Sequence, residues 1–109
     1  MQFNLSRNEV IKEIVEADSI VSDSDFYTLK TWLKYKIEPV QWQHEQYEFD
    51  DKFWVVVLLN QNCLYFNFIE EGWGWGKFSE NGFIEKYHWE QDKLYEAFLW
   101  RYKDKLYES

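Results

Sequence analysis

Residues 70–78 read EEGWGWGKF, and the reading of this stretch decides the fold. Two tryptophans alternate with three glycines. As a nucleotide loop it fails, because the glycine spacing is wrong and bulky indoles stand where a pyrophosphate would have to approach. As a strand it works: the period of two puts Trp73 and Trp75 on one face and Gly74 and Gly76 on the other. Strand glycines mark close approach by another backbone or helix.

Working outward, the chain falls into segments of clear period. C-terminal to the stretch, ENG (80–82) is a turn. A three-residue loop with Gly82 in the left-handed position would place Lys77 opposite Glu85, Trp75 opposite Tyr87 and Trp73 opposite Trp89. That register predicts an aromatic ladder, either core beneath a helix or a partly exposed binding face. N-terminal to it, CLYFNFI and FWVVVLL read as strands, the latter central and buried on both faces. VQWQHEQYEF (40–49) alternates and changes phase near Gln46, which predicts a bulge there.

Helical signals flank the strands. SRNE (6–9) is a capping box opening a helix from about Arg7 to Ala17, with Val10, Ile11, Ile14 and Val15 as its apolar stripe. SDSD (22–25) caps a second helix whose stripe is Phe26, Leu29, Leu33 and Ile37, ending before Pro39. A last helix is predicted from Glu90 to about Lys105, with Trp100 on its outward side beside Lys93 and Ala97. The expected architecture is one α+β domain over residues 1–109: two N-terminal helices, a five-stranded antiparallel meander and a C-terminal helix.

The 109 residues carry a net charge of −8, and residues 38–76 hold seven acids against Lys52 alone. An acidic middle repels phosphate backbones and anionic lipid and attracts basic partners, so nucleic acid and membrane are not the expected partners. The aromatic fraction, 22%, is high, and Trp and Tyr anchor interfaces. One cysteine, Cys63, cannot form an internal disulfide, and the first residues show no apolar run suited to a signal peptide, so a cytoplasmic protein is expected. His44, His88 and Cys63 lack metal-ligand or catalytic spacing, and the acid pairs 50–51 and 70–71 fall in predicted turns. No catalytic residue, metal or cofactor is expected.

A short, acidic, aromatic-rich α+β domain of this kind resembles the bacterial immunity proteins that neutralise polymorphic or contact-dependent toxins. The resemblance is one of size, charge and composition over the whole chain. It implies a non-enzymatic cytoplasmic protein that binds a cognate, basic, nuclease-like toxin. The expected contact residues are Glu45, Glu48, Asp50, Asp51, Glu70, Glu71, Trp73 and Trp75, with Trp100 either packed under the N-terminal segment or meeting a partner. Two further readings stand beside it: a small-ligand domain that stacks flat molecules on the Trp73/Trp75/Tyr87/Trp89 ladder, and an adaptor or oligomeric subunit.

Overall fold

The capping box at Ser6 forms as its residues require: Ser6 N donates to Glu9 Oε1 at 2.8 Å and Glu9 N to Ser6 Oγ at 3.2 Å. Helix α1 then runs Arg7–Ser22, longer than expected, and buries Val10, Ile14, Ala17 and Val21. Val15, placed in the stripe by spacing, is 60% exposed. Asp25 caps α2 (Phe26–Tyr35) by accepting from Thr28 N at 2.8 Å. The computed structural model describes residues 4–48, 50–91 and 93–99, the stretch 86–91 by its backbone alone.

The buried face of α2 differs from the one the spacing predicts. Thr28 and Trp32 are buried, while Phe26 is 74% and Leu33 59% exposed. Trp32 is the largest apolar group on the helix, and it wins the interior position. Its ring packs edge-on against Phe98 at 4.9 Å and its Nε1 donates to Asp18 on α1. Rotating the helix to bury Trp32 turns Phe26 and Leu33 outward, since they sit on the other side of its wheel.

Strands follow directly: β1 (Lys36–His44), β2 (Phe53–Leu59), β3 (Asn62–Asn67), β4 (Gly72–Lys77), β5 (Phe83–Ile84) and β6 (Lys86–Gln91), with a further helix, α3, at 94–99. The class is α+β, and β1, β2, β3, β4 and β6 pair antiparallel in that order. Pro39 lies inside β1, where the register against β2 shifts between Lys36 and Val40, so its missing donor falls at an irregularity. β2 is central and almost wholly buried, as its composition implies. The phase change in 40–49 is a turn and not a bulge: β1 ends at His44, and Tyr47 N donates back to His44 O.

The predicted fifth strand, FIEKYHW, is divided. Phe83 and Ile84 pair parallel with Gln43 and His44 on the outer edge of β1, so the sheet is not purely antiparallel. Lys86 onward pairs with β4 on the opposite edge. Two residues span at most about 7 Å, so the two edges of the sheet converge at this corner. Gly82 takes the expected left-handed conformation, φ 97°. The register beyond it is not the expected one: Lys77 opposes Lys86, Gly76 opposes Tyr87, and Trp75 opposes Trp89 after a shift that adds residue 88 on β6. Pairing of Phe83 and Ile84 with β1 withdraws them from the hairpin. Backbone bonds to β1 outweigh the side-chain pairings from which the shorter loop was inferred.

The sheet separates two apolar clusters. On the helical face lie Trp54, Val56, Val57, Leu59, Leu64, Phe66, Trp73 and Trp75, against α1, Trp32 and α3. A register shift between Val55 and Val57 lets two consecutive valines, Val56 and Val57, face the same way. On the other face lie Trp42, Phe53, Val55, Cys63, Tyr65 and Ile84. Gly74 and Gly76 sit opposite Tyr65 and Cys63 on β3, on the face away from the Trp rings. The last helix starts after Lys93, not at Glu90, and Ala97 is buried. Trp100 and the rest of the predicted helix lie outside the described residues.

Trp73 and Trp75 are fully buried, so the two rings are core. Trp73 Nε1 donates to Glu13 on α1 at 3.1 Å, and Trp75 Nε1 to Ala97 O on α3 at 2.9 Å. Burial raises the Glu13 pKa, and the bond from Trp73 pulls it the other way. Trp75→Ala is expected to lose about 3–5 kcal/mol of stability through cavity formation. Trp75→Phe, which keeps a ring but orphans the Ala97 carbonyl, should lose about 1–3 kcal/mol. Urea unfolding of the two variants measures both; an alanine variant within about 0.5 kcal/mol of wild type would contradict the packing.

Candidate functional site

The chain reverses twice at one end of the sheet, in loop 45–52 between β1 and β2 and in turn 68–71 between β3 and β4. Antiparallel pairing of β2 and β3 places both at the same end. Asn67 ties them together. Its Nδ2 donates to Tyr47 Oη at 3.1 Å, while its Oδ1 accepts from Ile69 N and Glu70 N. That side chain forms the local turn and anchors the neighbouring loop at once.

These loops carry six of the residues singled out by charge. Glu45, Glu48 and Asp51 line a shallow depression of about 510 Å³, together with Gln46, Tyr47 and Ile69. Glu45, Glu48, Asp50, Glu70 and Glu71 are exposed, and Asp51 is half-buried. The Arg7–Glu38 and Lys36–Asp18 ion pairs use other acids. Glu71 has φ 60°, the left-handed region in which glycine or asparagine is the ordinary occupant. Holding a glutamate there costs about 1 kcal/mol.

Beneath the depression lies a buried aromatic cage. His44 is 2% exposed, with its ring 5.0 Å from Tyr47, 5.5 Å from Phe53 and 5.4 Å from Tyr65. Its Nδ1 accepts from Gln46 N at 3.1 Å, which leaves the proton on Nε2 to be donated to Tyr65 Oη at 3.0 Å. Burial lowers the His44 pKa to about 4, so the ring is neutral and structural at pH 7. It supports the β1 end of the acidic loop; it does not reach the surface. Cys63 lies on the same face, its thiol pushed up to about 12 by burial, and carries none of the thiolate character a nucleophile needs. Among the described residues no group of His, Cys, Asp and Glu is arranged to hold a metal ion.

The acidic contact residues expected from sequence are thus brought together, and the tryptophans are not among them. Trp73 and Trp75 lie under α1 and α3, pointing away from partner and solvent, because no other residues on β4 have side chains large enough to fill the space beneath the helices. The same burial removes the stacking platform: two of its four rings are enclosed, and the side chains of Tyr87 and Trp89 lie outside the described residues. Trp100 lies outside them as well. Tyr47 is the aromatic that sequence reasoning missed. Its position inside the run EQYE, between the two glutamates of the loop, was the available signal.

Compared with known proteins, the chain matches no family model, no curated protein and no solved structure. No helix among the described residues is long and apolar enough to cross a membrane.

His44 sets a pH dependence whose sign follows from its burial. Its folded pKa lies below the ordinary 6.5, so the unfolded chain takes up a proton that the fold refuses. Stability is therefore complete above pH 6.5 and is lost as pH falls towards 4. The loss between pH 7 and 5 is expected to be about 2 kcal/mol. Urea midpoints across that range check it, with His44→Gln showing a flatter profile; equal slopes for the two proteins would refute the assignment.

Proposed function

We propose that the protein is a non-enzymatic inhibitor of the immunity type, which binds and neutralises a basic, nuclease-like toxin in the cytoplasm. The acidic loop end of the sheet is the contact surface. Glu45, Glu48, Asp50, Asp51, Glu70 and Glu71 steer the cationic partner, and Tyr47 supplies an aromatic contact within the depression. The observation that carries the reading is the convergence of both acidic loops on one end, fastened by the Asn67–Tyr47 hydrogen bond. Glu71 supports it further: a carboxylate kept at a left-handed position, where glycine would relieve the backbone, points to a task for the side chain.

A basic enzyme that cleaves nucleic acid presents a cationic cleft, and clustered carboxylates on a firm scaffold mimic the phosphates it normally holds. The role needs no chemistry from this chain. The buried His44 and Cys63 fit that requirement, since each is withdrawn from solvent and fixed in one protonation state at pH 7.

The test begins with co-purification from the native host and a growth-rescue assay against whatever toxin co-purifies or is encoded immediately upstream. With that partner in hand, reversal of Glu45 and Glu48 to lysine is expected to slow association about tenfold or more at low salt, with little change in dissociation. The same experiment on Glu70 and Glu71 extends it, and kinetics that stay unchanged would sink the proposal. Glu71→Gly separates the two roles of that residue: stability is expected to rise by about 0.5–1 kcal/mol while association slows. A variant that gains stability with no loss of binding would remove Glu71 from the surface.

A further inference from the structure

Helix α2 carries an apolar stripe that its own chain does not cover. Phe26, Leu29 and Leu33 recur at helical spacing, yet Phe26 is 74% and Leu33 59% exposed, and Leu29 is half-buried. The interior face of the helix is already filled by Thr28 and Trp32. Large exposed apolar groups on one helix stripe mark a contact surface, and the residues around the stripe say which one.

Sequence positions equidistant from the midpoint between Leu29 and Lys30 are complementary to each other. Phe26 matches Leu33, and Asp25 matches Lys34. At the centre Leu29 matches Lys30, whose methylene stem can lie along the leucine. Two copies of α2 packed antiparallel about a two-fold axis at that midpoint would therefore bring apolar against apolar and acid against base, each twice. A parallel pairing would instead set Lys34 against Lys34 and Asp25 against Asp25. Isologous two-fold contacts are the commonest way for one chain to cover such a face.

We propose that α2 is the interface of a two-fold symmetric dimer, with Phe26 packed on Leu33 and Asp25 paired with Lys34 of the second copy. The acidic loops are not part of this surface, so the two contacts can operate independently. A ten-residue helix is about 15 Å long. The area it offers is in the small class of interfaces, with a dissociation constant on the order of 10–100 μM.

Sedimentation equilibrium of the full chain from about 1 μM to about 1 mM tests the interface across this range. The wild type is expected to pass from monomer to twice that mass, and Leu33→Glu to remain monomeric with unchanged far-UV circular dichroism, since the position is already exposed. Phe26→Ser provides a second variant with the same expected loss. Lys34→Glu and Asp25→Asn, the latter retaining a capping side chain, should each weaken association about three- to tenfold. A Lys34→Gln/Asp25→Asn double variant should lose no more than the corresponding single variants. A wild type that is monomeric at about 1 mM, or a dimer that survives Leu33→Glu, overturns the interface. Fully additive losses at Asp25 and Lys34 overturn the antiparallel register.

Discussion

A buried indole must place both a large apolar ring and one N–H donor, and the structure depends on how four tryptophans meet that double demand. Trp32 donates to Asp18, joining α2 to α1. Trp54 donates to Leu5 O, holding the segment before α1 against β2. Trp73 and Trp75 donate to Glu13 and to Ala97 O, fixing α1 and α3 over neighbouring positions of β4. Each bond crosses between different elements. Apolar burial alone would hold the helices on the sheet without specifying where; the four donors specify position, because an orphaned buried N–H costs about 1–3 kcal/mol. Asp18 is used twice, since Lys36 at the start of β1 also reaches it at 3.0 Å.

That arrangement leaves the opposite face of the sheet to a separate, mostly aromatic cluster and frees the loop end for polar residues. His44 belongs to the cluster by its ring and to the loop by its hydrogen bond from Gln46, so the acidic loop inherits the rigidity of the core beneath it. Carboxylates on a firmly held loop lose less freedom on binding than carboxylates on a slack one. The concentration of function at loop ends of a rigid scaffold is the common solution, because strands and helices are committed to packing.

Edges matter as much as faces. Phe83 and Ile84 cover the end of β1, and Lys86 onward covers β4, so one short segment blunts parts of both edges of the sheet. Along α2 no such cover is supplied by α1 or the sheet for Phe26 and Leu33, and the exposed stripe is the complement of Trp32's burial: one helix cannot turn both faces inward.

Local rules were legible in the chain wherever a few neighbouring residues decide the outcome. The Ser6 box, the Asp25 cap, the left-handed Gly82, the alternation of Trp and Gly along β4 and the burial of FWVVVLL all follow from spacing and side-chain chemistry. The clustering of acids in residues 38–76 was likewise legible, and the antiparallel order of β2 and β3 turns that linear cluster into a surface. Tertiary structure alone decided matters of competition over distance. It buried Trp32 ahead of Phe26 and Leu33, put Trp73 and Trp75 beneath helices, and split FIEKYHW between two edges because β1 offered Phe83 and Ile84 hydrogen bonds. Each of these outcomes depends on which of several apolar groups fills a shared volume, or which backbone pairs with an open edge. Neither quantity exists until the chain has closed on itself.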